Sequence, residues 1–212
     1  MSPKAKKYKV KKQTVIFVEG DADEMIFRRL IAYYMENGWK CDTHIEYVNA
    51  NGFPTEAKIA SKLRQIENCS KGVVVHFKTV CCEYDSDVFD LKYQRQPNWK
   101  IIKAHLKDKF ELSGFCHIEA RTSIEDWILD DTEGLLNALN LPQDTKLKGT
   151  FGQDKVSDLF WKKNIIYNRY KGRNNIRRFI DKLDIAKIRD ARKKELKEFE
   201  KLLGVKIMDK KK

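Results

Sequence analysis

The sequence predicts an α/β fold: a mostly parallel four-stranded sheet with helices on both faces, followed by an all-helical C-terminal part. Two observations support this prediction. Short apolar, β-branched runs alternate four times with helical patterns up to about residue 140, and such alternation is typical of parallel strands joined by right-handed crossovers. Beyond residue 153 only helical patterns occur. We therefore expect an α/β domain over 13–140 and a basic helical region over 150–205.

The predicted elements can be placed in order along the chain. The strands are TVIFV (14–18), HIEYV (44–48), VVVHF (73–77), which can continue to Tyr84, and FCHIE (115–119). Helices follow them, beginning near Asp21, Pro54, Asn98 and Ser123. Asp21 can cap the first helix, with Glu24 three residues later as in a capping box, and Ser123 can cap the fourth. Three further helices are expected around 153–164, 174–182 and 185–203, the last with the apolar stripe of a packed helix.

Composition and missing motifs exclude several classes of protein. With 212 residues, of which 42% are hydrophobic, the chain can form a full core and is not disordered as a whole. It has no apolar run near the roughly 18 residues of a membrane span and no signal-peptide pattern. We expect a cytoplasmic protein with no membrane contact and reduced cysteines. The sequence contains no Walker loop, no G-x-G-x-x-G and no G-x-S-x-G motif. It therefore does not favour nucleotide kinases, dehydrogenases or serine hydrolases.

Charge is unevenly distributed along this basic chain. The formal net charge is +12, yet residues 13–150 contain slightly more acidic than basic side chains, whereas residues 151–182 are strongly basic. The Lys-rich ends, 1–12 and 206–212, are expected to be flexible tails. A metal centre beside a phosphate-binding face would produce this distribution, and so would two ordinary solvated surfaces.

Carboxylates follow two of the predicted strands. Glu19 comes directly after the first strand, and Asp85 and Asp87 form a D-x-D after the third. Because the carboxyl ends of parallel strands meet at one edge of a sheet, we expect these side chains to converge. Converging carboxylates repel one another unless a cation neutralises them, and Mg²⁺ or Mn²⁺ suits oxygen ligands. Asp23 and Glu125 are expected to support the site or to hold a second metal ion.

Each carboxylate also has a purely structural explanation. Asp23 can offset the dipole of the helix that it begins, and Glu125 lies in a first helical turn, where acids are favoured. Asp85 and Asp87 can form a solvated turn. Residues 78–84 separate the third predicted strand from this D-x-D, so either the strand is unusually long or a bulge or short loop intervenes.

The segment VIFVEGDADEMIF (15–27) resembles the first motif of the TOPRIM domain, the catalytic module of topoisomerases, bacterial primases and related nucleases. In that motif a Val-Glu-Gly after the first strand precedes an acid. Asp85 and Asp87 resemble the TOPRIM D-x-D motif. IEDWIL (124–129) is similar to a helix start in short stand-alone TOPRIM-like proteins and in overcoming-lysogenization-defect-type nucleases of prokaryotic defence systems. The resemblance covers about residues 13–140.

This resemblance implies a Rossmann-like sheet and a Mg²⁺- or Mn²⁺-dependent hydrolase acting on nucleic acid, with a role in antiviral defence. It implies that Glu19, Asp85 and Asp87 are catalytic and bind the metal. Glu19 can alternatively act as a general acid or base, since TOPRIM chemistry allows either role at that position.

Cations and aromatic residues are interleaved over 161–178. Lys and Arg neutralise phosphates, and Tyr and Trp stack on unpaired bases. The predicted nucleic-acid-binding residues are Lys162, Lys163, Arg169, Lys171, Arg173, Arg177 and Arg178. In the alternative interpretation the charges form the solvated side of a core made by Trp161, Ile165, Ile166 and Tyr170.

The leading hypothesis is a Mg²⁺-dependent nuclease that cleaves DNA or RNA. An alternative is a non-catalytic, nucleic-acid-binding or regulatory subunit of a larger defence complex. A third is a toxin-like effector that stays silent until a partner protein or a phage signal releases it, and co-purification with a larger ATPase would favour that hypothesis. The oligomeric state stays open.

Overall fold

The computed structural model describes residues 9–70, 72–90, 95–168 and 173–206. Four strands form one parallel sheet in the order β2-β1-β3-β4, as predicted. They are β1 (Lys9–Val18), β2 (His44–Asn49), β3 (Val73–Asp85) and β4 (Gly114–Ala120). The helices are α1 (Asp21–Glu36), α2 (Glu56–Cys69), α3 (Asp87–Asp90), α4 (Trp99–Phe110), α5 (Ile124–Leu129), α6 (Thr132–Ala138), α7 (Gly152–Trp161), α8 (Arg173–Ile180), α9 (Ile185–Ala191) and α10 (Lys193–Leu203). Within the described ranges, no helix combines the length and apolar character needed to cross a membrane.

Each face of the sheet has its own apolar core. Successive side chains of a strand point to opposite faces, and β1 follows this rule. Val15 and Phe17 pack with buried residues of α2 and α4. Ile16 and Val18 pack with α1 and with the helices of the C-terminal part. The prediction of helices on both faces is therefore confirmed.

The helices of the C-terminal part, α7 to α10, share the core of the α1 face. A partly buried ion pair reinforces this packing, because Arg189 donates two bonds to Glu200, at 2.8 and 3.0 Å. Glu200 also accepts a bond from Tyr34 Oη at 3.0 Å. Burial and the Glu200 carboxylate raise the pKa of Tyr34, so its hydroxyl remains a donor. Polar contacts thus tie α9 and α10 to α1.

The first strand begins earlier than predicted. β1 starts at Lys9, and residues 9–12 pair with residues 73–76 of β3. These four residues were predicted to belong to a flexible tail, so that assignment is wrong for them. Strand pairing explains the difference, because the long β3 offers an edge that extends beyond the predicted first strand. Residues 1–8 and 207–212 of the predicted tails lie outside the described residues.

The third strand is both long and bulged. β3 has 13 residues, and Gln13 of β1 pairs with Phe77 while Thr14 pairs with Thr79. Lys78 is therefore an extra residue, and an extra residue reverses which face the following side chains occupy. Phe77 packs on the α2–α4 face, whereas Cys81, also at an odd position, packs on the α1 face. Odd positions beyond the bulge consequently face α1.

Candidate metal centre

The site is formed where the two central strands, β1 and β3, reach the carboxyl edge of the sheet. β1 ends at Val18, and the chain passes through Glu19 and Gly20 into α1. This short connection places the first turn of α1, with Asp23, above the end of β3. The bulge at Lys78 turns the odd positions at the end of β3 towards the same side. The first turn of α1 and the end of β3 thus bring carboxylates to the same edge of the sheet.

Three of these carboxylates converge. Asp23, Glu83 and Asp85 each offer one carboxylate oxygen, and these oxygens all lie within 4.8 Å of one another. All three residues have 0% exposure. Two oxygens on opposite sides of a Mg²⁺ ion are about 4.2 Å apart, twice the metal–oxygen distance. The donor chemistry and the spacing fit a hard divalent cation, so this triad can hold a metal ion.

Glu19 adjoins the triad, as its position after the first strand predicted. Its Oε1 accepts a hydrogen bond from the backbone nitrogen of Asp85 at 3.2 Å, and Glu19 is 1% exposed. This bond joins the end of β1 to the end of β3. Asp85 Oδ1 in turn accepts a bond from the backbone nitrogen of Ile124 at 3.0 Å. The carboxylates of Glu19 and Asp85 are therefore held in fixed orientations.

The two acids that lie together at the end of β3 differ from the predicted pair. Asp87 is half-buried at the start of α3 and does not belong to the triad, whereas Glu83 does. The sequence gives Glu83 no role, because it leaves open whether the strand continues beyond Phe77 and offers Asp85 and Asp87 as the acidic pair. In a strand that continues to Asp85, side chains alternate between the two faces of the sheet, so Glu83 and Asp85 lie on the same face.

Glu125 follows Ile124, the residue that bonds to Asp85, and does not belong to the triad. It is buried in the first turn of α5, and its Oε1 accepts a hydrogen bond from Tyr167 Oη at 2.8 Å. Its neighbour Ile124 donates to Asp85. Glu125 thus connects the segment after α7 to the helix that orients Asp85.

Among the described residues of the basic stretch, the apolar side chains divide between the surface and the core. Trp161 is 69% exposed and Ile166 is 75% exposed, while Ile165 is half-buried and packs against the core of the α1 face. The alternative in which all of these residues are buried is therefore wrong for Trp161 and Ile166. Tyr170 lies outside the described residues.

The predicted nucleic-acid-binding cations are only partly described. Lys162 forms an ion pair with Asp158, and Lys163 Nζ donates to the Asn140 carbonyl at 3.4 Å. Arg177 and Arg178 are exposed on α8. Arg173 begins α8, but its side chain lies outside the described part of the chain, as do all of Arg169 and Lys171.

Comparison with protein-family models, curated proteins and solved structures gives no match to this chain.

Proposed function

We propose that the protein is a Mg²⁺-dependent nuclease that cleaves phosphodiester bonds of DNA or RNA. The observation that supports this most strongly is the convergence of Asp23, Glu83 and Asp85 at the carboxyl edge of a parallel sheet. That edge is where open α/β sheets bind their ligands. The resemblance of residues 15–27 to the first TOPRIM motif agrees with this location.

In this proposal the triad holds the metal ion and Glu19 acts beside it. When bound, Mg²⁺ or Mn²⁺ polarises the phosphate, lowers the pKa of a water molecule and stabilises the leaving oxygen. Glu19 is placed to move a proton or to complete the set of ligands, since its carboxylate contacts the backbone of Asp85. The amide of Ile124 keeps the Asp85 carboxylate oriented.

This proposal also moves the second TOPRIM-like motif two residues towards the N-terminus. Glu83-x-Asp85, rather than Asp85-x-Asp87, becomes the counterpart of the TOPRIM D-x-D, because Glu83 and Asp85 lie together. Asp87 follows the strand and begins α3, and this position suits a residue that supports the loop.

The basic C-terminal part is proposed to position the strand. Lys162, Lys163, Arg177 and Arg178 supply positive charge, and the exposed ring of Trp161 can stack on an unpaired base. A larger ATPase or another defence-system protein remains a proposed partner, and co-purification is the measurement that detects it.

A cleavage assay tests this function directly. Labelled single- and double-stranded DNA and RNA are incubated with the protein in Mg²⁺, in Mn²⁺ or in EDTA. We expect cleavage with either cation and none in EDTA, and we expect Glu19→Gln to lose cleavage while it retains binding. Glu36→Gln, an exposed glutamate at the end of α1, is the matched control and should cleave like the wild type. If neither the cation nor Glu19→Gln changes any measured activity, the non-catalytic alternative replaces this proposal.

A further inference from the structure

A basic cavity lies between α1 and α8, on the side of α1 that carries Met25. Its volume is about 420 Å³, and a water molecule occupies about 30 Å³ in the liquid, so a hydrated phosphate group fits. The lining residues are Met25, Arg28, Arg29, Ala32, Arg177 and Asp181. Three guanidinium groups line the cavity against the carboxylates of Asp181 and of Glu24, which pairs with Arg28, so one positive charge is in excess and favours an anion.

Neighbouring groups hold two of these arginines in place. Arg28 Nε contacts Glu24 at 2.7 Å, and its guanidinium stacks on the ring of Tyr47 at 4.1 Å. Arg29 Nη2 donates to the carbonyl of Leu183 at 3.3 Å. Side chains that are already ordered lose little entropy when they bind a ligand.

These arginines also retain donors for a ligand. A guanidinium has five N–H donors. Arg29 Nε is buried and one Nη2 donor is used on the Leu183 carbonyl, so the remaining Nη donors of Arg29 are the ones that can reach a ligand. Arg177 is 71% exposed, with its Nε 3.4 Å from Asp181. Its guanidinium group can therefore rotate towards a ligand in the cavity. The cavity therefore combines positive charge with donors in the planar arrangement that matches a phosphate.

We propose that this cavity binds a phosphodiester group of the nucleic-acid strand that the metal centre cleaves. The identity of the ligand rests on the proposed nuclease function, whereas the anion site rests on the three arginines alone. Arg28 and Arg29 follow Asp23 by five and six residues on α1, which is about 8–9 Å along the helix axis. Because a helix has 3.6 residues per turn, the two arginines lie on other faces of α1 than Asp23, so a strand with one phosphate at the triad reaches the cavity by passing around the helix.

The first experiment measures how binding depends on salt. Arg29→Gln with Arg177→Gln is compared with the wild type in EDTA, by fluorescence anisotropy of a labelled oligonucleotide over a series of KCl concentrations. Loss of one phosphate contact should weaken binding at low salt and flatten the slope of log K against log [KCl] by about 0.7–0.9. Arg64→Gln with Arg95→Gln, two exposed arginines away from the cavity, removes the same charge and should leave the slope nearer the wild-type value. Equal slopes in both double variants would overturn the assignment to nucleic acid.

The second experiment uses inorganic phosphate as the probe. Potassium phosphate should raise the Tm of the wild type above its value in KCl of equal ionic strength, and the cavity variant should lose this increase. If Arg29→Gln disturbs the fold through its bond to Leu183, Arg177→Gln alone gives the same comparison at an exposed position. A wild-type Tm that is the same in phosphate and in KCl would overturn the anion site.

The two experiments also separate this proposal from the nuclease proposal. Protection by phosphate with an unchanged salt slope would mean that the cavity takes free phosphate, and it would overturn the nucleic-acid assignment alone. Both experiments are run without a divalent cation, so their outcome does not depend on cleavage. A wild type that binds phosphate but no oligonucleotide would contradict the proposed function and retain the anion site.

Discussion

Asp85→Asn is expected to lower Mg²⁺-dependent cleavage by at least about 10³-fold. A bound metal ion contributes several kcal/mol to phosphoryl chemistry, and about 4 kcal/mol corresponds to a factor of 10³ in rate. The backbone nitrogen of Asp85 donates to Glu19, so this member of the triad is linked directly to Glu19. An amide at this position binds a hard cation more weakly than a carboxylate does.

The asparagine should leave the fold intact. It keeps an oxygen that can accept the bond from the Ile124 amide, and it removes a negative charge from a crowded site. Binding of an oligonucleotide in EDTA should therefore be at least as tight as in the wild type. Asp108→Asn, at an exposed position on α4, is the matched control and should cleave normally. Normal cleavage by Asp85→Asn would remove Asp85 from the metal centre.

Glu83→Gln is expected to cost far more cleavage than Asp87→Asn. Glu83 is fully buried in the triad, whereas Asp87 is half-buried outside it. We expect a loss of about 10²-fold or more for Glu83→Gln. The loss for Asp87→Asn should be about fivefold or less, which is under about 1 kcal/mol.

Single-turnover cleavage rates at saturating Mg²⁺ provide the comparison. Thermal unfolding of both variants should be measured beside them, so that a folding defect is not read as a catalytic one. If Asp87→Asn lost more cleavage than Glu83→Gln, Asp85 and Asp87 would be the metal-binding pair instead.

The sheet could be predicted from the sequence because its signals are local. Apolar β-branched runs followed by capped helical patterns define each strand–helix unit, and Glu19 directly follows one such run. The bulge at Lys78 has no local signal, because it depends on how β1 and β3 pair. For that reason the sequence could not decide between a long strand and a bulge, and the role of Glu83 was missed.

Other parts of the site depend on contacts between distant segments. The first-turn position of Asp23 is equally suited to a helix dipole and to a metal ion, and only the packing of α1 against β3 brings it to Glu83. The bond between Tyr167 and Glu125 joins residues 42 positions apart, so the sequence could not indicate it. Exposure of Trp161 likewise depends on how α7 packs.

Calorimetric titration of Mn²⁺ into the metal-free protein tests the metal centre most directly, because it does not require the substrate. We expect at least one Mn²⁺ ion to bind per chain of the wild type and of Asp108→Asn. Glu83→Gln and Asp85→Asn should bind it far more weakly. A wild type that binds no Mn²⁺, or triad variants whose isotherms match that of the wild type, would contradict the assignment of this site.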